Sequence, residues 1–172
     1  MRFITQAKSF YDKLAQQRTF MEKPVSKETD FVAMQKVTRY SLYAAGAGLV
    51  PVPVFDTIAI SGVQVYMLKE LAGYYGVPFK NELGKSMVAS LIGGLVPTSV
   101  GYGIVGSMIK RVPMVGTLIG GVTVGLFASA STYAIGRVFI QHFASGGTFL
   151  DFKPEEVRAY FNAEFSKARA SA

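Results

Sequence analysis

Ser86 to Ile109 reads SMVASLIGGLVPTSVGYGIVGSMI, and after Lys110 and Arg111 the chain continues from Val112 to Gly136 as VPMVGTLIGGVTVGLFASASTYAIG. Neither stretch contains a charged side chain. As helices rising 1.5 Å per residue, each would be roughly 36 Å long, more than the roughly 30 Å hydrocarbon layer of a bilayer. Two apolar arms joined by a short basic turn make a hairpin, and the length of the arms favours placing it in or on a membrane. Both arms are rich in Gly, Ser, Thr and Ala rather than Leu, Ile and Phe, so the drive to insert is modest. A helix apolar on all sides also suits the centre of a tightly packed soluble bundle, or an oligomer whose subunits bury each other's faces.

The arms are patterned by glycine. Gly93, Gly94, Gly101, Gly103 and Gly106 mark the first, which Pro97 interrupts, while Pro113 suits the opening of the second. In the second arm Gly116 with Gly120, and Gly121 with Gly125, are small residues four apart. Such pairs let helix backbones approach closely where lipid supplies no hydrophobic drive, so these four glycines are the expected helix-packing positions and a homo-oligomer is the expected assembly.

Upstream, Phe3, Ala7, Phe10, Tyr11 and Leu14 recur at helical spacing, and Glu22 to Asp30 reads as a polar linker with Pro24. A second helical run begins near Phe31 and continues toward Tyr43. Gly46, Gly48, Pro51 and Pro53 then interrupt it. A helix follows from Thr57 to Tyr75, with Ile60, Val63, Met67, Leu71 and Tyr74 on one face, and Gly76 followed by Pro78 is its stop signal. Downstream of the hairpin, Gly146 and Gly147 read as a turn. Pro154 opens a last helix with Glu155 and Glu156 at its positive end and Val157, Phe161 and Phe165 as its apolar stripe. The fold class is therefore all-α, a bundle of about six helices around a central glycine-rich hairpin. Residues 1–40 form amphipathic helices and a linker, 41–150 the apolar core, and 151–172 a C-terminal amphipathic helix.

Chemistry is sparse. The chain has no cysteine, so thiolate metal sites, disulfides and cysteine nucleophiles are absent. His142 is the single histidine, with no second His or Cys to share a metal. The glycine-rich strings lack the Lys-Ser or Lys-Thr of a phosphate-binding loop, and no pair of carboxylates stands out for hydrolysis. No catalytic, cofactor or metal site is expected, and no enzyme. Three polar residues remain as candidates. Asp56 is the only charged residue between Arg39 and Lys69 and stands at the start of a helical run. It reads as an N-cap, or else as a station on an ion or proton path. Gln64 reads as a hydrogen-bonding partner of a neighbouring helix, and His142 as structural.

The formal net charge of +7 comes from 18 Lys and Arg against 11 Asp and Glu. That balance suits anionic lipid or nucleic acid, and the absence of nucleic-acid-binding motifs beside two uncharged stretches decides for lipid. Arg2, Asp12 and Lys13 would break the apolar core of a secretory signal, so the chain is expected at the cytoplasmic (inner) membrane, facing the cytoplasm.

Two stretches carry a family resemblance. Val50-Pro51-Val52-Pro53-Val54-Phe55-Asp56, followed by Gln64, Met67 and Tyr75-Gly76-Val77, is one; Ala134-Ile135-Gly136-Arg137-Val138-Phe139-Ile140-Gln141-His142-Phe143, running into Ser145-Gly146-Gly147, is the other. With the hairpin between them, the chain from about Tyr40 to Phe165 resembles the GTPase-associated domain of unknown function of YcjF-type membrane proteins. The resemblance implies a helical, membrane-associated domain of a kind often fused to or encoded with a GTPase; this sequence departs by lacking a GTPase domain, so either the partner is a separate chain or the domain acts alone, and no catalytic residues are carried over. The expected function is a non-enzymatic adaptor or scaffold at a membrane, with an oligomeric pore or a soluble oligomeric shell as the alternatives.

Overall fold

The computed structural model describes residues 27–49, 55–93 and 116–171, and of these 27–30, 55–57 and 116–123 by their backbone alone. These residues form five helices and no strand: α1 (Lys27–Gly48), α2 (Phe55–Tyr74), α3 (Asn81–Gly93), α4 (Gly116–Ala144) and α5 (Pro154–Ala170). The N-terminal amphipathic run, residues 22–26 of the expected linker, and the Pro97, Gly101, Gly103 and Gly106 region lie outside the described residues, while residues 27–30, read as linker, form the first turn of α1.

α4 is the hub of the bundle. Between Ala128 and Phe143 most side chains are buried, including Ser131, Thr132, Ala134, Ile135, Val138, Phe139 and Ile140, while Ser129, Tyr133, Arg137 and Gln141 form a partly exposed stripe. An uncharged helix surrounded on all sides needs neighbours on all sides, and α1 and α5 cover most of it, with α2 on a third side. α1 buries Ala33, Val37, Tyr40 and Ala44, one stripe at helical spacing. It runs antiparallel to α4: Val37 fills the place that a side chain on Gly136 would take, and Gly48 lies against Gly125. α2 runs parallel to α4, bringing Gln64 beside Ser131 and Thr132 and the Tyr75 ring to 6.0 Å from that of Phe143.

Two helices end as their glycines dictate. Gly76 adopts φ 69° and Gly146 φ 84°, a region only glycine enters without penalty. In both, the next amide reaches back five residues, Val77 to the Ala72 carbonyl at 2.8 Å and Gly147 to that of His142 at 2.9 Å. This closes the helix with a left-handed turn. α5 begins at Pro154, with Glu155 and Glu156 in its first turn and Lys167 and Arg169 in its last. Each charge suits the end of the helix dipole that it occupies.

The structure corrects the expected hairpin. Among the described residues no helix is long and apolar enough to cross a membrane, so the inserted hairpin is not retained. The second arm does not stop at Gly136; α4 continues through Arg137 and His142 to Ala144. The described part of the first arm lies in α3, which packs chiefly on α2 and α5 and only lightly on α4. From Ala128 to Gly136 the uncharged run is covered by protein, with α1 and α5 taking the place assigned to lipid. α1 also continues through Gly46 to Gly48, where an interruption was expected. The reason is tertiary, since only glycine at 48 lets α1 come this close to α4.

Candidate functional site

Charge is distributed unevenly along the bundle axis. α1 from Tyr40 to Leu49, α2 from Ile58 to Leu68 and α4 from Val124 to Gly136 carry no charged side chain. The antiparallel and parallel pairings put these three segments at the same end. Large apolar side chains are exposed there: Leu42 at 66% and Ile58 at 68%, with Tyr43, Leu49, Tyr66, Val124, Leu126 and Phe127 around them. Charges begin one level below. Arg39 on α1, Lys69 on α2 and Arg137 on α4 stand at the boundary, and the last turn of α5 adds Lys167 and Arg169.

The acids near this boundary are bound to bases. Glu70 accepts a hydrogen bond from the Lys36 ammonium at 2.7 Å, and that bond holds its carboxyl below the usual range against the opposing effect of desolvation. Glu164, only 8% exposed, lies between the Arg137 guanidinium at 3.3 Å and the Lys167 ammonium at 3.0 Å. It occupies a buried position of the α5 stripe with Val157 and Phe161, where the sequence pattern places Phe165. Nothing local marks that inward turn; the half-buried Arg137 across the interface is its cause. A carboxylate and a guanidinium buried together stay paired because either alone would be strongly penalised.

The candidate residues are not brought together. Asp56 lies in the first described turn of α2, and its side chain is outside those described. Gln64 is fully buried, its amide donating to Ser131 Oγ at 3.2 Å and Thr132 Oγ1 at 3.1 Å, while its carbonyl oxygen has no partner among the described residues. Gly125 lies against α1, where an added Cβ would be 3.0 Å from the Ala45 carbonyl oxygen. The contacts of Gly116, Gly120 and Gly121 fall outside the described side chains.

His142 is at the opposite end of the molecule, closing the loop between α4 and α5. Its Nε2 donates to the Thr148 carbonyl oxygen at 2.8 Å and lies 3.9 Å from Asp151 Oδ1. The imidazole fills the space that a side chain on Gly147 would need. Asp151 in turn accepts from the Thr148 amide at 2.6 Å and from the Thr148 hydroxyl. The hydroxyl above all holds the Asp151 carboxyl below its ordinary range, outweighing slight desolvation. Among the described residues no group of His, Cys, Asp and Glu could hold a metal ion.

These lowered carboxyls set an expected pH response. Asp151 and Glu70 bind protons less readily folded than unfolded, so their contribution is complete above the unfolded value of about 4 and disappears as pH falls through the folded values. Thermal melts by circular dichroism should therefore be flat above about pH 5 and drop below about pH 4. Asp151→Asn with Glu70→Gln should flatten that acid limb. An unchanged acid limb in the double variant would remove these two groups as its cause.

The arrangement defines a class: a small all-helical bundle, polarised along its axis, whose described residues assemble no catalytic constellation. The chain belongs to the family described as Domain of unknown function (DUF697), whose model matches residues 13–169. It is 40% identical over 149 residues to magnetosome membrane protein 22 of Magnetospirillum gryphiswaldense, an overlap of 87% of this chain and 76% of that protein. No solved structure matches it.

Proposed function

We propose that this protein is a non-enzymatic helical scaffold that docks on a membrane through the apolar end of its bundle, an end that also carries Asp56 in the first turn of α2. The observation that carries the reading is the polarity of that end: exposed Leu42, Tyr43, Leu49 and Ile58 above a belt of Arg39, Lys69, Lys167 and Arg169. A contiguous exposed apolar patch marks an interaction surface, and a basic rim below it fits anionic head groups. Tyr43 and Tyr66 stand where aromatic rings with a polar tip favour the lipid–water interface. Shallow docking needs no spanning helix. The name of the relative supports the membrane assignment, since that protein is called a magnetosome membrane protein. What supports a separate GTPase chain as the cargo of the scaffold is the YcjF-type resemblance of residues 50–56 and 134–147, and the small-residue pairs of α4 support self-assembly.

The test is flotation with lipid vesicles. Wild-type protein should float with them, and Leu42→Glu with Val124→Glu, both at exposed positions, should reduce the bound fraction roughly tenfold or more, because charge in an apolar interface is penalised by more than 1.4 kcal/mol. Wild-type protein left at the bottom of the gradient, or a double variant that floats as well, would refute the proposal.

A further inference from the structure

A groove of about 460 Å³ runs along the outer face of α2, between that helix and the start of α3. Ile58, Gly62, Val65 and Tyr66 line it with apolar surface beside Ser61 and Asn81, and its two charged residues are Lys69 on α2 and Lys85 on α3. Ile58 lies toward the apolar end of the bundle and Lys69 at the level where charges begin, three helical turns further on. Along α2 the groove thus runs from apolar side chains, toward the surface assigned above to the membrane, to the Lys69 cation, with Lys85 facing it from α3.

Three details indicate an occupant. Among the described residues no carboxylate lines the groove, and Glu70, next after Lys69, is turned away onto Lys36. The Lys69 ammonium lies over the Tyr66 ring, 5.8 Å from its centroid, which holds the charge at the groove. Gly62 has open space where a side chain would project, so the floor is bare backbone in the middle of an exposed helical face. Glycine there disfavours the helix by about 1 kcal/mol relative to alanine and serves no internal contact.

We infer that this groove holds one anionic phospholipid, an acyl chain lying over Gly62 and Val65 and the phosphate between Lys69 and Lys85. The assignment rests on the membrane reading above. It adds a defined lipid site, and a preference for anionic head groups, to a surface that would otherwise bind any bilayer. The apolar length of the groove excludes a free phosphate as the full ligand, and the paired lysines distinguish it from a purely apolar seat for a neutral chain.

Binding to vesicles of phosphatidylcholine alone, and of phosphatidylcholine with phosphatidylglycerol, tests the inference. Wild-type protein should prefer the anionic vesicles, and Lys69→Gln with Lys85→Gln should lose roughly thirtyfold of that preference, the effect of two lysines at an anionic surface. The same loss is expected from Gly62→Phe, which fills the groove without touching the core, while Gly62→Ala checks that the helix itself tolerates a side chain. Lys80→Gln with Lys153→Gln removes the same charge at the opposite end of the bundle, by the loop between α4 and α5, and should keep most of the preference. An equal loss in that control pair would mean diffuse attraction by the net positive charge and overturn the site. Equal wild-type binding to both vesicles would overturn it while leaving the membrane reading intact, and no binding to either would overturn both. A dimer of the protein that Gly62→Phe dissociates, with lipid preference unaltered, would give the groove to a second copy instead.

Discussion

Gly48→Leu should destabilise the protein by on the order of 3 kcal/mol, at the top of the range for inserting bulk into a packed interface. A Cβ on residue 48 would be 2.8 Å from both the Cα and the nitrogen of Gly125. Those atoms are backbone, so no rotamer change can yield; α1 and α4 must separate. The contact between these helices is the most extensive in the bundle, and separating them exposes the stripe of Val37, Tyr40 and Ala44 along its whole length. Gly73→Ala provides the contrast. That residue is exposed near the end of α2 with nothing in reach of an added methyl, and alanine there should stabilise by up to about 1 kcal/mol through helix propensity. Urea midpoints should therefore move in opposite directions for the two glycines. A Gly48→Leu protein with the wild-type midpoint would show that the helices do not meet where the structure puts them.

Phe139→Ala should destabilise by about 3–5 kcal/mol, the range for deleting a buried aromatic ring. Phe139 is fully buried and stacks on Phe152 with centroids 4.6 Å apart and planes 14° off parallel. Phe143 and Phe149 lie at 5.3 and 5.6 Å, and His142 stands edge-on at 6.4 Å. Removing the central ring leaves a cavity lined by other rigid rings, which cannot collapse into it as flexible side chains would. It also unseats the loop between α4 and α5, because Phe149 and Phe152 are the loop's only large buried side chains. Hydrogen exchange should accordingly accelerate first at residues 145–153, and Phe139→Leu, which keeps most of the volume, should have a much smaller effect. Uniform acceleration across all helices would argue against this local anchoring. The motif from Ala134 to Phe143 that carries the family resemblance is thus, in this molecule, largely the aromatic anchor of that loop.

Signals carried by neighbouring residues were legible in the sequence. Helical spacing in α1, α2 and α5, the stops at Gly76 and Gly146, and the opening at Pro154 each depend on φ, on the missing proline amide or on charges within one turn, and each appears where local chemistry puts it. The candidate site was not legible. Lys69 and Lys85 are unremarkable surface lysines until α3 is laid beside α2, and Glu164 follows a normal amphipathic pattern until Arg137 turns it inward.

By itself, then, the sequence determined an all-helical chain with a long uncharged segment and a basic surface. Only the tertiary structure decided what surrounds that segment. A run of uncharged residues reports that something apolar must cover it, and a protein neighbour and a lipid chain satisfy that demand alike. The choice between them is made by pairings such as Val37 with Gly136 and Gly48 with Gly125, nearly 80 or more residues apart along the chain, and no local pattern encodes a contact over that distance.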